Sequence, residues 1–251
     1  MRIKIELINT EKQTHLPATF QSILQAVIYK NLSQEGGEWL HNEGFRFEKR
    51  SFKFFTFSSI LEKGKFNKNI KGFTFGSEIS FLVASPVDWI LQQFASNLIK
   101  KGTVRLAANT MAVNSISVFK INPVKEEAII VRALTPVEMH STFTTAEGKK
   151  RTHYYTPFET DFCNLINRNL QKKWMALFRK DFCPYNIKIT PLFKGNRYEK
   201  IMYFVTGDKK TLIKGWKGKY RLEGQPTFLE FAMDAGLGGK NAQGFGLVDV
   251  V

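Results

Sequence analysis

Hydrophobic and polar residues alternate along the chain in a pattern that predicts helices and strands in a definite order. Apolar residues at every second position predict strands, and apolar residues three or four positions apart predict helices. The elements predicted in the first half are a strand at Ile3–Leu7, a helix from Pro17, strands at Phe52–Ile60, around Phe73 and at Ile79–Ala84, a helix from the N-cap Ser85 to Gly102, and a strand at Ser115–Ile121. The order is β-α-β-β-α-β.

The same order recurs after a junction at Asn122-Pro123, which a charged segment follows. The elements predicted there are a strand at Ala128–Leu134, a helix opened by the capping box Thr156–Glu159, strands at Asn186–Phe193, Ile201–Thr206 and Thr211–Leu222, a helix from Pro226 to Gly236, and a strand at Phe245–Val250. The pattern predicts an α+β protein of two tandem ferredoxin-like (RRM-like) βαββαβ domains, residues 1–122 and 123–251.

Positive charge is in excess throughout the chain. The formal net charge is +15, divided between the halves as +7 and +8. Such a field concentrates polyanions at the surface, and the interleaved aromatic residues favour nucleic acid as the partner. A basic protein without such a ligand remains the alternative.

Other chemistries find little support in the sequence. Cys163 and Cys183 have no Cys or His partner at metal-ligand spacing, and the carboxylates form no pattern of a two-metal nuclease, so we expect no metal. No apolar run approaches the roughly 18 residues of a membrane span. The N-terminal residues resemble a strand rather than a signal peptide, and we expect a cytoplasmic protein without membrane contact.

The most specific motif is the glycine-rich segment from Gly236 to Gly246. Gly236-Leu237-Gly238 and Gly244-Phe245-Gly246 enclose five residues, among them Lys240. The segment runs from a helix into a strand, which is the reverse of a P-loop. Two interpretations have equal weight: the glycines end a helix and allow close packing, or their backbone N–H groups bind phosphate together with Lys240.

This motif resembles the hallmark of the repeat-associated RNA-binding superfamily of CRISPR systems. Within it, the whole chain resembles the sixth CRISPR-associated family, the pre-crRNA-processing endoribonucleases. The supporting segments are Arg2–Leu7, Val27-Ile28-Tyr29, Leu40-His41, Lys53–Ser58, Leu134-Thr135-Pro136 and Gly215–Lys219. The resemblance implies two ferredoxin-like domains, CRISPR repeat RNA as substrate, and cleavage without metal or other cofactor.

Cleavage of RNA without metal needs a base for the 2′-hydroxyl, an acid for the departing 5′-oxygen and a cation for the phosphate. The products are a 2′,3′-cyclic phosphate and a 5′-hydroxyl. Among the four histidines, the resemblance selects His41, which follows the glycine pair Gly36-Gly37 on a loop or short helix. It also implies a role for Tyr29, opposite the apolar stripe of its helix. Which of the two is acid or base stays open.

Lys53, at the start of a predicted strand, is the candidate for stabilising the phosphate charge. Its distance from His41 along the chain spans a variable stretch. Lys49, Arg50 and Arg46 are therefore alternatives, and a solvated lysine is equally compatible with the pattern.

RNA-binding residues are expected mainly in the second half. In the predicted strand Thr211–Leu222, the basic residues Lys217, Lys219 and Arg221 alternate with the apolar residues Leu212, Trp216, Tyr220 and Leu222. With Lys240 and the glycines of the motif they would form a phosphate track, to which Arg168, Lys172 and Lys173 on the long helix would add. His15 is expected to be structural. His140 and His153, at the ends of an exposed basic hairpin or loop, are weaker candidates for RNA contact.

A non-catalytic RNA-binding subunit of a CRISPR effector complex is the alternative function. Tyr29 and His41 favour the enzyme. The sequence leaves association with other CRISPR-associated effector subunits, and a homodimer, as open alternatives.

Overall fold

The computed structural model describes residues 1–119 and 122–251. Its helices are α1 Gln21–Lys30, α2 Gln34–Asn42, α3 Asp88–Lys101, α4 Thr160–Phe178 and α5 Pro226–Ala235. The strands of the first half are β1 Arg2–Asn9, β2 Thr14–Pro17, β3 Phe45–Phe47, β4 Arg50–Phe52, β5 Thr56–Phe57, β6 Lys65–Asn67, β7 Gly72–Phe75, β8 Glu78–Ala84, β9 Thr103–Leu106 and β10 Asn109–Phe119. Those of the second half are β11 Ala128–Ala133, β12 His140–Thr144, β13 Lys150–Tyr154, β14 Ile187–Pro191, β15 Glu199–Thr206, β16 Lys209–Trp216, β17 Lys219–Gly224 and β18 Val248–Val250.

The first half is built on an antiparallel sheet with strand order β5-β8-β1-β10-β9. The central strand β1 directs Ile3, Ile5 and Leu7 into the core, where they meet the apolar faces of α1 and α3. The order β10-β1-β8-β5 is that of a ferredoxin-like βαββαβ unit, in which each helix connects two strands separated by a third.

The second half repeats this arrangement with the order β14-β17-β11-β18, and α4 and α5 supply its two helices. Two hairpins are inserted: β12–β13 precedes α4, and β15–β16 precedes β17. The prediction of two tandem ferredoxin-like units is confirmed. No helix in the described parts of the chain is long and apolar enough to cross a lipid bilayer.

Two predicted strands of the first half differ from the structure. The segment 52–60 is not continuous, because β4 ends at Phe52, Phe54 adopts a positive φ of 48°, and only Thr56–Phe57 pairs with the sheet. Lys53 therefore lies in a connection rather than at the start of a strand. The strand predicted at 115–121 is the end of the long β10, which forms a hairpin with β9. Residues 120 and 121 of that prediction lie outside the described residues.

The strand predicted at 211–222 is two strands, β16 and β17, which belong to different sheets. Lys217 and Gly218 separate them, and the ring of Phe193 packs against Gly218. Leu212 is exposed rather than buried, because it pairs with Tyr203 of β15 in the inserted hairpin, outside the second sheet.

Three helices begin later than predicted. Pro17 is the last residue of β2, and α1 starts only at Gln21. The Ser85 hydroxyl accepts from the Val87 N–H at 2.9 Å and donates to the Phe54 carbonyl at 2.6 Å, so α3 starts only at Asp88. At α4, the Glu159 carboxylate accepts from the Thr156 N–H, and the helix begins at Thr160.

A buried arginine joins the two halves. The Arg2 guanidinium is almost inaccessible to solvent and donates to Asp234 at 3.4 Å, to Asp249 at 3.2 Å and to the Met233 carbonyl at 3.0 Å. Desolvation lowers the pKa of Arg2, and the two carboxylates oppose that shift. This network fixes β1 of the first half against α5 and β18 of the second.

We expect the substitution Arg2→Met to lower the free energy of unfolding by about 2 kcal/mol, because Asp249 and the Met233 carbonyl lose this donor and Asp234 keeps only the N-terminal ammonium of Met1 among the partners described. Urea denaturation measures the loss. The control is Lys4→Met on the same strand, whose half-exposed ion pair with Glu6 contributes little. Equal stability of the two variants would contradict the role assigned to Arg2.

Candidate active site

A cleft of about 470 Å³ lies between the two halves. Tyr29, His41 and Lys53 line it from the first half, and His140, Gly238 and Lys240 line it from the second. Residues far apart in sequence are thus brought together, as the catalytic hypothesis requires.

His41 lies in the last turn of α2. The Ser33 hydroxyl caps this helix by accepting from the Gly36 N–H at 3.2 Å. Gly36 and Gly37 are therefore inside the helix and do not break it. Gly37 allows α2 to approach α1, since a Cβ there would lie 3.1 Å from the Tyr29 carbonyl oxygen. The glycine pair thus places the two candidate residues side by side.

The rings of Tyr29 and His41 meet edge to face, with their centroids 5.2 Å apart. Tyr29 also packs on Phe55 at 5.3 Å, so it is half-buried at the interface rather than solvent-exposed. Burial raises the pKa of the Tyr29 phenol well above its ordinary value. The phenol therefore remains protonated at neutral pH, and it can donate a hydrogen bond but is a poor proton acceptor.

Lys53 supplies a cation to the same cleft. Its Nζ donates to the Ser51 hydroxyl at 3.1 Å. Desolvation lowers the pKa of Lys53, repulsion from Arg46 adds to this, and Glu43 opposes it. Of the alternative cations considered from sequence, Arg50 also lines the cleft.

The glycine-rich loop forms the opposite wall. Gly238 and Gly246 have φ of 72° and 75°, and a side chain at either position would clash with a backbone carbonyl, of Glu138 and Leu237 respectively. Gly236 and Gly244 also face protein, and of the four motif glycines only Gly238 lines the cleft, next to Gly239 and Lys240. Close packing therefore accounts for most of the motif glycines.

Two hydrogen bonds dock this loop on the first half. The Gln25 side chain donates to the Ala242 carbonyl at 2.7 Å, and the Thr56 hydroxyl donates to the Phe245 carbonyl at 3.0 Å. Within the loop, the Asn241 amide donates to the carbonyls of Leu237 and Phe245. The loop is thereby held at a fixed distance from His41 and Tyr29.

Lys173 lines the inner wall of the cleft and organises the loop, and its amine binds protein groups rather than being exposed along a surface track. Its side chain is buried, and the Nζ donates to the Gly236 carbonyl at 2.7 Å, the Gly238 carbonyl at 3.1 Å and the Asn241 Oδ1 at 2.7 Å. Burial lowers the pKa of Lys173 to about 7. The amine lies at the C-terminal end of α5, where a positive group is favourable. Its neighbour Lys172 pairs with Glu48 of the first half.

We expect Lys173→Met to lower the free energy of unfolding by about 3 kcal/mol, because several buried acceptors lose their donor. RNA cleavage should fall as well, since the loop that lines the cleft loosens. Thermal unfolding and a cleavage assay measure the two effects. The adjacent Lys172→Met removes a partly exposed ion pair and should cost less than about 1 kcal/mol. A stable and active Lys173→Met variant would contradict this role of the lysine.

Lys217, Lys219 and Arg221 do not line the cleft. Lys219 and Arg221 are exposed on the face of the second sheet that is turned away from its core. Lys217 follows β16, and desolvation together with repulsion from Lys200 and Arg132 lowers its pKa. We name the five residues Arg132, Lys200, Lys217, Lys219 and Arg221 the sheet-side basic surface. Of the basic residues predicted in the second half, Lys240 and the buried Lys173 line the cleft with His41.

Sequence reasoning underrated His140 and missed Glu138. The His140 ring lines the cleft, and its Nδ1 is hydrogen-bonded to the fully buried carboxylate of Glu138. The available signal was their spacing of two residues in an extended segment, which directs both side chains to the same side.

Comparison with known proteins gives the family. The family model described as "CRISPR-associated protein Cas6, N-terminal" matches residues 15–117, and the model described as "CRISPR associated protein Cas6, C-terminal" matches residues 119–250. The CRISPR-associated endoribonuclease Cas6 1 of Methanocaldococcus jannaschii is 26% identical over 252 residues, which cover 99% of this chain and 92% of the relative. The CRISPR-associated endoribonuclease Cas6 of Pyrococcus furiosus is 25% identical over 256 residues, which cover 100% and 90% of the two chains.

A solved structure described as a Cas6-related gene product from Pyrococcus furiosus has the same fold. Its TM-score is 0.82 at 18% identity, and the alignment covers 100% of this chain and 98% of the other. The likeness therefore extends over both ferredoxin-like units.

Proposed function

Because the chain belongs to the Cas6 family of CRISPR-associated proteins, we propose that it is an endoribonuclease that cuts CRISPR repeat RNA. The curated relatives are named as endoribonucleases and match along nearly their whole length. The observation that carries the proposal is the convergence of His41, Tyr29 and Lys53 on one cleft whose other wall is the glycine-rich loop. Residues 1–122 form the proposed catalytic domain, and residues 123–251 carry most of the RNA-binding surface.

The proposed reaction is an internal transesterification. The ribose 2′-oxygen attacks the adjacent phosphorus, a P–O2′ bond forms, and the P–O5′ bond breaks to leave a 2′,3′-cyclic phosphate and a 5′-hydroxyl. His41 donates the proton that the departing 5′-oxygen needs. Lys53 neutralises the charge that gathers on the phosphate, and the Tyr29 phenol donates a hydrogen bond. These groups supply the acid, the cation and a hydrogen-bond donor without a metal ion, and the 2′-hydroxyl proton passes to a base as the P–O2′ bond forms.

Basic residues hold the RNA in two places. Lys240 and the backbone of Gly238 and Gly239 lie opposite His41 and suit the phosphates next to the cut. The sheet-side basic surface suits a more distant part of the strand. Such contacts position RNA without reading its sequence. Association with other CRISPR-associated effector subunits, formation of a homodimer and a cytoplasmic location remain predictions.

The cleavage test uses a repeat RNA in EDTA with enzyme in excess. We expect wild-type protein to produce cyclic-phosphate ends, and we expect His41→Ala to lower the single-turnover rate at least about 100-fold, the usual contribution of a general acid. The control is His15→Ala, since His15 is exposed and bonded only to Thr74 and Asn109 of its own half. Tight binding without any cut would favour a non-catalytic RNA-binding subunit, and loss of wild-type cleavage in EDTA would contradict metal independence.

The binding test replaces Lys217, Lys219 and Arg221 together by alanine. We expect weaker RNA binding, a slope of log Kd against log salt that is shallower by about 2, and an unchanged cleavage rate at saturating enzyme. The control replaces the exposed residues Lys63, Lys65 and Lys68 of the first half by alanine, which removes the same number of positive charges. If both triple variants bind RNA alike, the sheet-side basic surface is not part of the RNA site.

A further inference from the structure

Glu138 and His140 form a carboxylate–imidazole pair beside the cleft, which the His140 ring lines together with His41. Glu138 is 0% exposed, and its Oε1 is hydrogen-bonded to His140 Nδ1. Its Oε2 has no hydrogen-bond partner within residues 1–119 and 122–251. The His140 ring is 30% exposed and lines the cleft together with His41 and Tyr29. A buried charge is thus placed directly behind an accessible imidazole.

The hydrogen bond fixes the tautomer of this imidazole. A carboxylate only accepts hydrogen bonds, so His140 Nδ1 carries the hydrogen. In the neutral ring the lone pair is then on Nε2. When Nε2 takes up a proton, the adjacent carboxylate stabilises the resulting imidazolium, which is how carboxylate–histidine pairs act as proton acceptors in hydrolytic enzymes.

The position of Glu138 is itself rigid. Its carbonyl accepts from the Gly239 N–H at 2.8 Å, and its backbone pairs with Gly238 of the glycine-rich loop. The pair is therefore tied to the wall of the cleft that Lys173 stabilises. His140 lies at the base of the β12–β13 hairpin, where it pairs with Tyr154, and it lines the cleft next to the glycine-rich loop.

The first half supplies one imidazole for two proton transfers. Lys53 and Arg50 are cations and do not accept a proton, and the buried Tyr29 phenol holds its own proton at neutral pH. A second acceptor is needed for the proton of the 2′-hydroxyl.

We propose that His140 is the general base of the reaction and that Glu138 is its positioning residue. This inference rests on the proposed function. His140 Nε2 takes the 2′-hydroxyl proton while the P–O2′ bond forms, and His41 gives its proton to the 5′-oxygen as the P–O5′ bond breaks. After the reaction, His140 loses and His41 regains a proton by exchange with water. Each half of the protein contributes one of the two proton-transferring groups.

The test uses RNA with a 5′-bridging sulfur at the cut, because a thiolate leaves without protonation. Single-turnover rates are measured at saturating enzyme. We expect His140→Ala to cut ordinary RNA at least about 100-fold more slowly than wild type. On the sulfur-containing RNA, the cleavage rate of His41→Ala should lie within about tenfold of the wild-type rate. The cleavage rate of His140→Ala should stay low on this RNA. The control is His153→Ala, since His153 lies on the same hairpin and also pairs with a glutamate, Glu159, but does not line the cleft.

Glu138→Gln keeps the size of the buried side chain and removes its charge. We expect a loss of cleavage rate in the wild-type background, no further loss in the His140→Ala background, and unchanged binding of a 2′-deoxy RNA. A merely structural role of Glu138 would lower the rate in both backgrounds. Thermal unfolding of each variant checks that the fold persists.

Two results would overturn the assignment of His140 while leaving the proposed function intact. One is a wild-type rate for His140→Ala once the enzyme saturates the RNA, which would reduce His140 to a binding contact. The other is equal restoration of both histidine variants by the sulfur. If the wild-type protein cuts neither RNA, the proposed function itself fails, and the base assignment fails with it.

Discussion

The contact on which the site depends is the docking of the glycine-rich loop between the two halves. On one side, Lys173 binds the backbone carbonyls of the loop. On the other side, Gln25 and Thr56 of the first half bind carbonyls at its far end. The loop has almost no side-chain volume where it turns, so it can approach both neighbours closely. Without this contact the two halves would carry the proposed catalytic residues but no common cleft.

In the proposed mechanism, this architecture divides the chemistry between two units that are similar in fold. The first unit presents His41 and a protonated Tyr29 side by side, because Gly37 lets two short helices pack tightly. The second presents Lys240 and the Glu138–His140 pair along the loop. The buried network of Arg2 then restrains the relative position of the units. A proton-transfer site needs such restraint, because small displacements of its groups cost large factors in rate.

The sequence predicted the tandem fold and the cluster of candidate catalytic residues, and the two predictions had different grounds. The repeated order of strands and helices predicted the tandem fold, because alternation and helical spacing are local properties of the chain. The cluster of Tyr29, His41 and Lys53 came from family resemblance rather than from spacing. The structure places all three on one cleft with Lys240.

The errors have a common physical cause, which is that the deciding partners are distant in sequence. Lys173 was predicted to extend a phosphate track, but its backbone acceptors in the loop are more than 60 residues away in sequence. The alternation in residues 211–222 is the same for one strand as for two, and only pairing with β15 or with β11 separates them. His140 became a candidate because it is hydrogen-bonded to the carboxylate of Glu138, and the sequence could not reveal that this carboxylate is buried.

The most direct test of the central claim is to ask where the cut nucleotide lies. A 2′-deoxy repeat RNA with 4-thiouridine beside the uncut bond can be photo-crosslinked to the protein, and the attached peptides can be identified by mass spectrometry. We expect crosslinks in both halves of the chain, to the α2 segment around His41 and to the loop 236–246. Crosslinks confined to the sheet-side basic surface would contradict this claim.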